Sequence, residues 1–233
     1  ITGVLEKEAY NLNYAYNLFH SEKRPYVVLK QATSLDGKLA FTDERTQITG
    51  KEVYNFVRNE RDNYQAILVG AKTMLIDNPK LTGANTSLFP PKRIILDADG
   101  SIFEKSNLNL FNNSSSEVIV FTKVKHENLP SHVTLITPKE FSIKEILSEI
   151  AKLGIQSVYV EGGPSIHDQF LASGYWDEVI TYISPILLGG NNTSSFTSNR
   201  ITNEKIQLHN TKITKLGEDI RISGRRVSQC LQD

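Results

Sequence analysis

Six short apolar runs dominated by β-branched and aromatic residues recur along the chain, and helical periodicity separates several of them. The runs are Tyr26-Val27-Val28-Leu29, Ala66 to Val69, Arg93 to Leu96, Val118 to Phe121, Val158 to Val160 and Val179 to Ile183. Runs this short and of this composition read as buried strands. Between them, Ser142-x-x-Glu145 forms a capping box for a helix whose inward stripe is Ile143, Leu147 and Ile150, ended by Gly154. Pro164 suits the first position of the next helix, with Ile166, Phe170 and Leu171 turned inward. Such alternation requires a mainly parallel sheet with helices on its faces. The last segment, Ile206 to Val227, reads instead as an antiparallel hairpin turning at Gly217-Glu218. The expected fold is α/β: a mixed, mainly parallel sheet flanked by helices, with a C-terminal antiparallel hairpin. Ahead of the first strand, Leu5, Ala9, Leu12, Tyr16 and Phe19 recur at spacings of three or four, which predicts an amphipathic lead-in helix from Gly3 to His20. The Asn/Ser-rich stretch Asn107 to Ser116 reads as a loop.

Length and charge narrow the function classes. A chain of 233 residues suits one large α/β domain. Acidic and basic side chains balance at 26 each, and no Lys/Arg stripe is interleaved with aromatics, so a small molecule is the expected partner rather than a nucleic acid. Cys230 is the sole cysteine, which excludes an intramolecular disulfide and a multi-cysteine zinc site. His20, His126, His132, His167 and His209 lack the i, i+4 spacing of a zinc helix, so no metal site is expected. No apolar stretch approaches the length that spans a bilayer, and a reducing, cytoplasmic setting is expected. Asn112-Asn113-Ser114 and Asn191-Asn192-Thr193 match glycosylation acceptors, but without a secretory signal they read as polar loops.

Ligands of open α/β sheets bind outside the carboxyl ends of the strands, so polar residues and glycines just after apolar runs are the candidate site. Four stretches qualify: Lys30 to Lys38, Gly70 to Asp77, Thr122-Lys123 and Glu161 to Ser165. In Glu161-Gly162-Gly163-Pro164-Ser165, two glycines admit close approach to the backbone and the following helix offers N–H groups to a phosphate. The same residues fit an ordinary strand-to-helix turn, and no Gly-x-Gly-x-x-Gly is present. Lys30 and Asp36 read as framing a polar mouth, or as solvated charges around an Asp-Gly turn, and Asp77-Asn78-Pro79 is equally at home in a turn. Arg58, Glu60 and Arg61 are assigned by default to the solvated face of a helix over Lys51 to Glu60. Arg221, Arg225 and Arg226 read as the charges that protect an edge strand.

Taken in order, these stretches are similar to the reductase domain of the bifunctional riboflavin-biosynthesis deaminase/reductases, whose fold resembles that of dihydrofolate reductase. The carriers are Arg24 to Lys30, Ser34-Leu35-Asp36-Gly37-Lys38-Leu39-Ala40, Thr46 to Gly50, Arg61, Ala66 to Gly70, Thr73, Asp77-Asn78-Pro79-x-Leu81-Thr82, Arg93 to Asp97, Val160 to Gly163, Asp177-Glu178 and Pro185-x-Leu187-x-Gly189-Gly190. The resemblance implies hydride transfer from NADPH to C1 of the ribose of an aminopyrimidine ribosyl phosphate, giving a ribityl chain, in a homodimeric enzyme. It places cofactor contacts at Ala32, Gln47, Thr73, Asp77, Ala98 and along Gly163, Pro164, Ser165, Ile166, His167, Asp168 and Gln169. Substrate contacts fall at Thr46, Arg61, Leu81 and Glu161, with Lys30 close by. Arg61 suits the substrate phosphate through bidentate contact. Proton handling falls to Lys30, Asp77 or Glu161, and Thr122 and Lys123 are candidates for the adenosine 2′-phosphate.

The chain departs from that pattern at three places. Gly83-Ala84 stands where the family usually has an arginine shortly after Asn-Pro-x-Leu-Thr, and Gln47 replaces the tryptophan of bacterial members, in a shortened stretch that leaves Thr46 and Arg45 as competing assignments. The deaminase signature, His-x-Glu with Pro-Cys-x-x-Cys, is absent, so neither zinc nor deamination is expected of this chain. Thr2-Gly3-Val4-Leu5-Glu6-x-Glu8-Ala9 with Leu12-Asn13 resembles the connector that follows the deaminase in fused members, which sets residues 1–24 as connector and 25–233 as reductase domain, with Ile1 at a cut or lost fusion point. Two other functions stay open: a dihydrofolate-reductase-like enzyme acting on another pterin or carbonyl, and a catalytically silent nucleotide-binding module.

Overall fold

A computed structural model of the chain describes residues 3–6, 9, 12–41, 45–84, 88–194 and 205–226. Thr2 and Glu8 of the connector motif, Val227 at the end of the hairpin, and Cys230 lie outside the described residues. The elements run α1 (Tyr14–Glu22), β1 (Tyr26–Ser34), β2 (Lys38–Ala40), α2 (Lys51–Arg61), β3 (Ala66–Gly70), α3 (Ala71–Asp77), β4 (Lys92–Leu96), a 3-10 turn (Ser101–Glu104), α4 (Asn109–Asn112), β5 (Val118–Phe121), β6 (Val133–Ile136), α5 (Ile143–Lys152), β7 (Ser157–Val160), α6 (Pro164–Ser173), β8 (Glu178–Ser184), β9 (Thr193–Ser194), β10 (His209–Leu216) and β11 (Asp219–Arg225). Nine strands form one sheet in the order β10-β11-β8-β1-β7-β3-β4-β5-β6. Every pairing from β8 to β6 is parallel, while β11 runs antiparallel to β8 and to β10. The mixed α/β fold and its terminal hairpin are those expected from the sequence.

Strand alternation divides the core. Val27, Leu29, Ala66, Leu68, Val158 and Val160 face α5 and α6, where Ile146, Leu147, Ile150 and Phe170 bury their side chains. On the other face, Tyr26, Val28, Tyr159 and Ile180 meet α1 and α2, whereas Ile67, Val69 and Ile95 meet α3 and the segments after it. That second face is therefore covered by two separate helical groups. The capping box is present, with the Glu145 N–H donating to Ser142 Oγ at 3.4 Å, and Gly154 adopts a left-handed φ of 76° where α5 stops.

Several sequence expectations change. A lead-in helix is described over Tyr14–Glu22 rather than from Gly3 to His20, and Leu5, Leu12 and Tyr16 of the expected stripe are exposed while Leu18 is the residue buried against β1. Regular spacing alone does not say which face meets the sheet. Within Asn107 to Ser116, Leu108 and Leu110 are buried around the single turn of α4, so two anchors in a polar stretch suffice to order it. β6 pairs with β5 although its apolar run, Val133 to Ile136, is broken by Thr134. β11 is an inner strand, so Arg221 and Arg225 do not guard an edge; the outer strand is β10. No helix among the described residues is long and apolar enough to cross a membrane.

Candidate active site

A mismatch in strand length creates the site. β7 ends at Val160, paired to Leu29 of β1 and Leu68 of β3, yet β1 continues to Ser34 and β3 to Gly70. The short central strand leaves a notch between its neighbours, and Lys30, which the sequence placed after the strand, stands inside β1 on one wall of it. The notch opens into a cleft of about 650 Å³, a size suited to a small organic ligand. One wall is α2, presenting Val53, Tyr54, Val57, Arg58 and Arg61; the opposite wall is α3 with Thr73 and Asp77, together with the start of α6.

Glu161, the first residue past β7, is the electrostatic centre. Arg61 donates Nε to Oε1 at 2.6 Å and Nη2 to Oε2 at 2.9 Å, and its Nη1 donates to the Thr82 carbonyl at 2.9 Å. Lys30 Nζ lies 3.7 Å from the Glu161 carboxylate and 5.6 Å from the centre of the Tyr182 ring. Burial by itself would push the Glu161 carboxyl up, but Arg61 and then Lys30 hold it down at about 2. It is therefore an anion at any physiological pH. The fork of Arg61, expected to face a ligand phosphate, is taken by Glu161, which leaves only its outer N–H groups for anything in the cleft. Asp77 behaves oppositely: burial raises its carboxyl, offset in part by Arg45 across the cleft.

The structure brings Lys30, Ala32, Thr46, Gln47, Arg61, Thr73, Asp77, Leu81, Glu161, Gly163, Pro164, Ser165 and Ile166 to one cleft. Leu81 adopts a left-handed φ of 52° while 2% exposed, a conformation that costs a branched side chain energy and is held by its surroundings. His167, Asp168 and Gln169 follow on α6 but do not line the cleft. His167 is wholly buried beside the Val160 carbonyl, and burial lowers its imidazole to about 4. Ala98 lies past β4, with its carbonyl accepting from the Lys123 N–H at 3.2 Å, so it shares the carboxyl edge of the sheet with the cleft without lining it. Thr122 is buried and its hydroxyl accepts from the Val124 N–H, so of the pair only Lys123 faces solvent. Asp36 does not line the cleft; it clamps the loop after β8, accepting from the Leu188 and Gly189 N–H groups at 3.1 and 2.8 Å.

Beyond Arg61, sequence reasoning missed the contribution of α2. Val53, Val57 and Arg61 recur at intervals of four, and that periodicity was the available signal for an inward face ending in a guanidinium. Arg58, assigned to solvent, instead donates Nε and Nη2 to the Gly83 carbonyl at 3.2 and 2.9 Å. Glu60, also assigned to solvent, is 8% exposed.

Two glycines shape the start of α6. A Cβ at Gly162 would come within 2.5 Å of Ile166, so that glycine lets α6 seat tightly against the sheet. A Cβ at Gly163 would instead meet only Thr73 Oγ1, at 3.8 Å, filling the space between the starts of α3 and α6. That space, beside the N-terminus of a ten-residue helix, is the kind of cradle a phosphate occupies.

Comparison with known proteins gives a consistent result. A family model described as the RibD C-terminal domain matches residues 25–222. The riboflavin biosynthesis protein RibD of Bacillus amyloliquefaciens is 34% identical over 235 residues, covering 95% of this chain and 63% of that protein. The 2,5-diamino-6-ribosylamino-4(3H)-pyrimidinone 5′-phosphate reductase of Methanothermobacter thermautotrophicus is 27% identical over 209 residues, covering 84% of this chain and 96% of that protein. Among solved structures, a diaminohydroxyphosphoribosylaminopyrimidine deaminase/5-amino-6-(5-phosphoribosylamino)uracil reductase from Thermotoga maritima superposes with a TM-score of 0.83 at 30% identity, covering 97% of this chain and 63% of that one. The chain thus spans less than two thirds of the RibD protein it matches.

Proposed function

The chain belongs to the RibD C-terminal domain family, and on that premise we propose that it is a 5-amino-6-(5-phosphoribosylamino)uracil reductase using NADPH, with no deaminase activity of its own. The observation that carries this reading is the Lys30–Glu161–Arg61 cluster at the floor of a cleft whose far wall holds the Gly163–Thr73 cradle. The nicotinamide, when bound, supplies a hydride to C1 of the ribose. Opening of the sugar then requires a proton at the ring oxygen released from C1. Glu161, fixed as an anion, cannot provide it and serves to orient Arg61 and Lys30. Lys30, at 3.7 Å from that anion, is the cation of the cluster that can release a proton, as the Arg61 guanidinium cannot, and takes the proton-donating role. Asp77, raised by burial on the opposite wall, is placed to hold a ligand N–H or O–H rather than to drive the reaction. Substrate contacts are assigned to Thr46, Leu81 and the outer N–H groups of Arg61, and cofactor contacts to Ala32, Gln47, Thr73 and residues 163–166, with Ala98 and Lys123 receiving the adenosine end. For assembly we propose a homodimer, supported by β10, an outer strand exposed along nearly its whole length.

The test is NADPH oxidation by the purified chain with the aminopyrimidine ribosyl phosphate. The wild type should turn over, and Lys30→Met should lower kcat by roughly 100-fold or more while binding NADPH as before. No oxidation with that substrate despite NADPH binding would overturn the reading.

A further inference from the structure

Four segments far apart in sequence meet behind the cleft on the carboxylate of Glu60. Tyr159 of β7 and Tyr182 of β8 both donate their phenolic O–H to Oε2, Tyr182 at 2.6 Å. Arg221 of β11 donates Nε and Nη2 to Oε1 at 3.1 and 2.6 Å. Both oxygens are thereby engaged. Burial and then the Glu60 charge push both phenols well above their ordinary value, so both remain donors. A buried ion pair of this kind adds little over apolar packing, and what its directional bonds offer is a fixed position.

Two members of this network lead into the cleft. Glu60 immediately precedes Arg61 on α2, so pinning Glu60 sets the rotation of the turn from which Arg61 reaches Glu161. Tyr182, held by its hydroxyl, presents its ring to the Lys30 ammonium. At the other end of α2, Asp219 of the same hairpin accepts from the Gly50 N–H at 2.7 Å. The C-terminal hairpin therefore grips at both ends the helix that forms one wall of the cleft, and none of these bonds touches α3 or α6.

We propose that Arg221, acting through Glu60, is a positioning residue for the reaction: it sets the last turn of α2 and the Tyr182 ring, and so the places of Arg61 and Lys30. The proposal rests on the reductase reading for its kinetic consequence. Arg221→Met, Arg221→Lys, Glu60→Gln and the Glu60→Gln/Arg221→Met double variant are compared with wild type. Four quantities are read: kcat and KM for the phosphorylated substrate, the NADPH Kd by fluorescence, and the Arg61 Nε–H resonance by NMR. The Arg24 Nε–H, bonded to Glu22 and sharing no bond with Glu60, Tyr159, Tyr182 or Arg221, serves as the control for the fold. Arg221→Met should lower kcat/KM roughly tenfold to 100-fold, as for an ångström-scale misplacement, and shift the Arg61 resonance while leaving Arg24 and the NADPH Kd unchanged. Arg221→Lys should recover part of the loss, and the double variant should be no worse than the poorer single. Should Arg221→Met not fold, Tyr182→Phe, which removes one hydroxyl, carries the same comparison. An unmoved Arg61 resonance, or an NADPH Kd that weakens in step with kcat/KM, overturns the proposal. A wild type that fails to reduce the substrate while Arg61 responds to Arg221→Met would sink the reductase reading and leave the positioning role standing.

Discussion

Glu161→Gln tests whether the centre of the cleft is the ion cluster described here. The substitution keeps the shape of the side chain and removes its charge, leaving the guanidinium of Arg61 against a neutral amide. The carboxyl is held at about 2 against an ordinary 4.5, because Arg61 and Lys30 outweigh the burial that opposes them. At about 1.36 kcal/mol per pH unit, that depression corresponds to ~3 kcal/mol. The side chain is 12% exposed, so solvent screens little of it, and ~3 kcal/mol is also the lower end of what removing one partner of a buried pair costs. The sign follows from the direction of the shift: a depressed carboxyl stabilises the folded state fully above about 4.5 and loses that contribution as pH falls towards 2. Urea unfolding followed by Trp176, the single tryptophan and 2% exposed, reports the difference directly. At pH 7 the variant should be less stable by ~3 kcal/mol, and the gap should narrow steadily below pH 4.5. Parallel stability curves for the two proteins from pH 7 down to pH 3 would refute the reasoning.

Two further substitutions probe the walls separately. Gly163→Val fills the space facing Thr73 and should weaken NADPH binding by at least about tenfold, or ~1.4 kcal/mol, with little change in Tm; unaltered NADPH fluorescence titration would place the cofactor elsewhere. Ala84→Arg restores a guanidinium beside Gly83 and should lower the KM for the phosphorylated substrate, by about tenfold if it gains one charge-assisted phosphate contact; a higher KM would mean that the phosphate lies away from residues 81–84.

The sequence made the fold readable because the signals were local. Periodicity and caps mark α5, Pro164 marks the start of α6, and β-branched runs mark six of the parallel strands. Thirteen of the residues assigned to the site also share the cleft, because sheet order sets the carboxyl ends of neighbouring strands side by side and α2, α3 and α6 wall the space between them. What could not be read is pairing between distant segments. Nothing near Glu60 in the sequence indicates Tyr159, Tyr182 or Arg221 as its partners. Nothing near Arg61 indicates that Glu161, one hundred residues on, occupies its fork.

Those two adjacent residues show how one helix end can be tied to the sheet and still line the cleft. Consecutive positions on a helix point about 100° apart, so Glu60 turns back into the sheet while Arg61 turns out to the cleft. Glu60 is met by three donors from three strands, and Arg61 by one carboxylate just past β7, the strand that also carries Tyr159. The helix end is thus fixed towards the sheet by groups that do not line the cleft. The functional side inherits that fixity without losing its remaining N–H groups to the protein. A glutamate followed directly by an arginine reads as two surface charges only until the strand order is known. Once β8, β7 and β11 are seen to lie behind α2, the first charge must be satisfied by the sheet and the second is free to face the cleft.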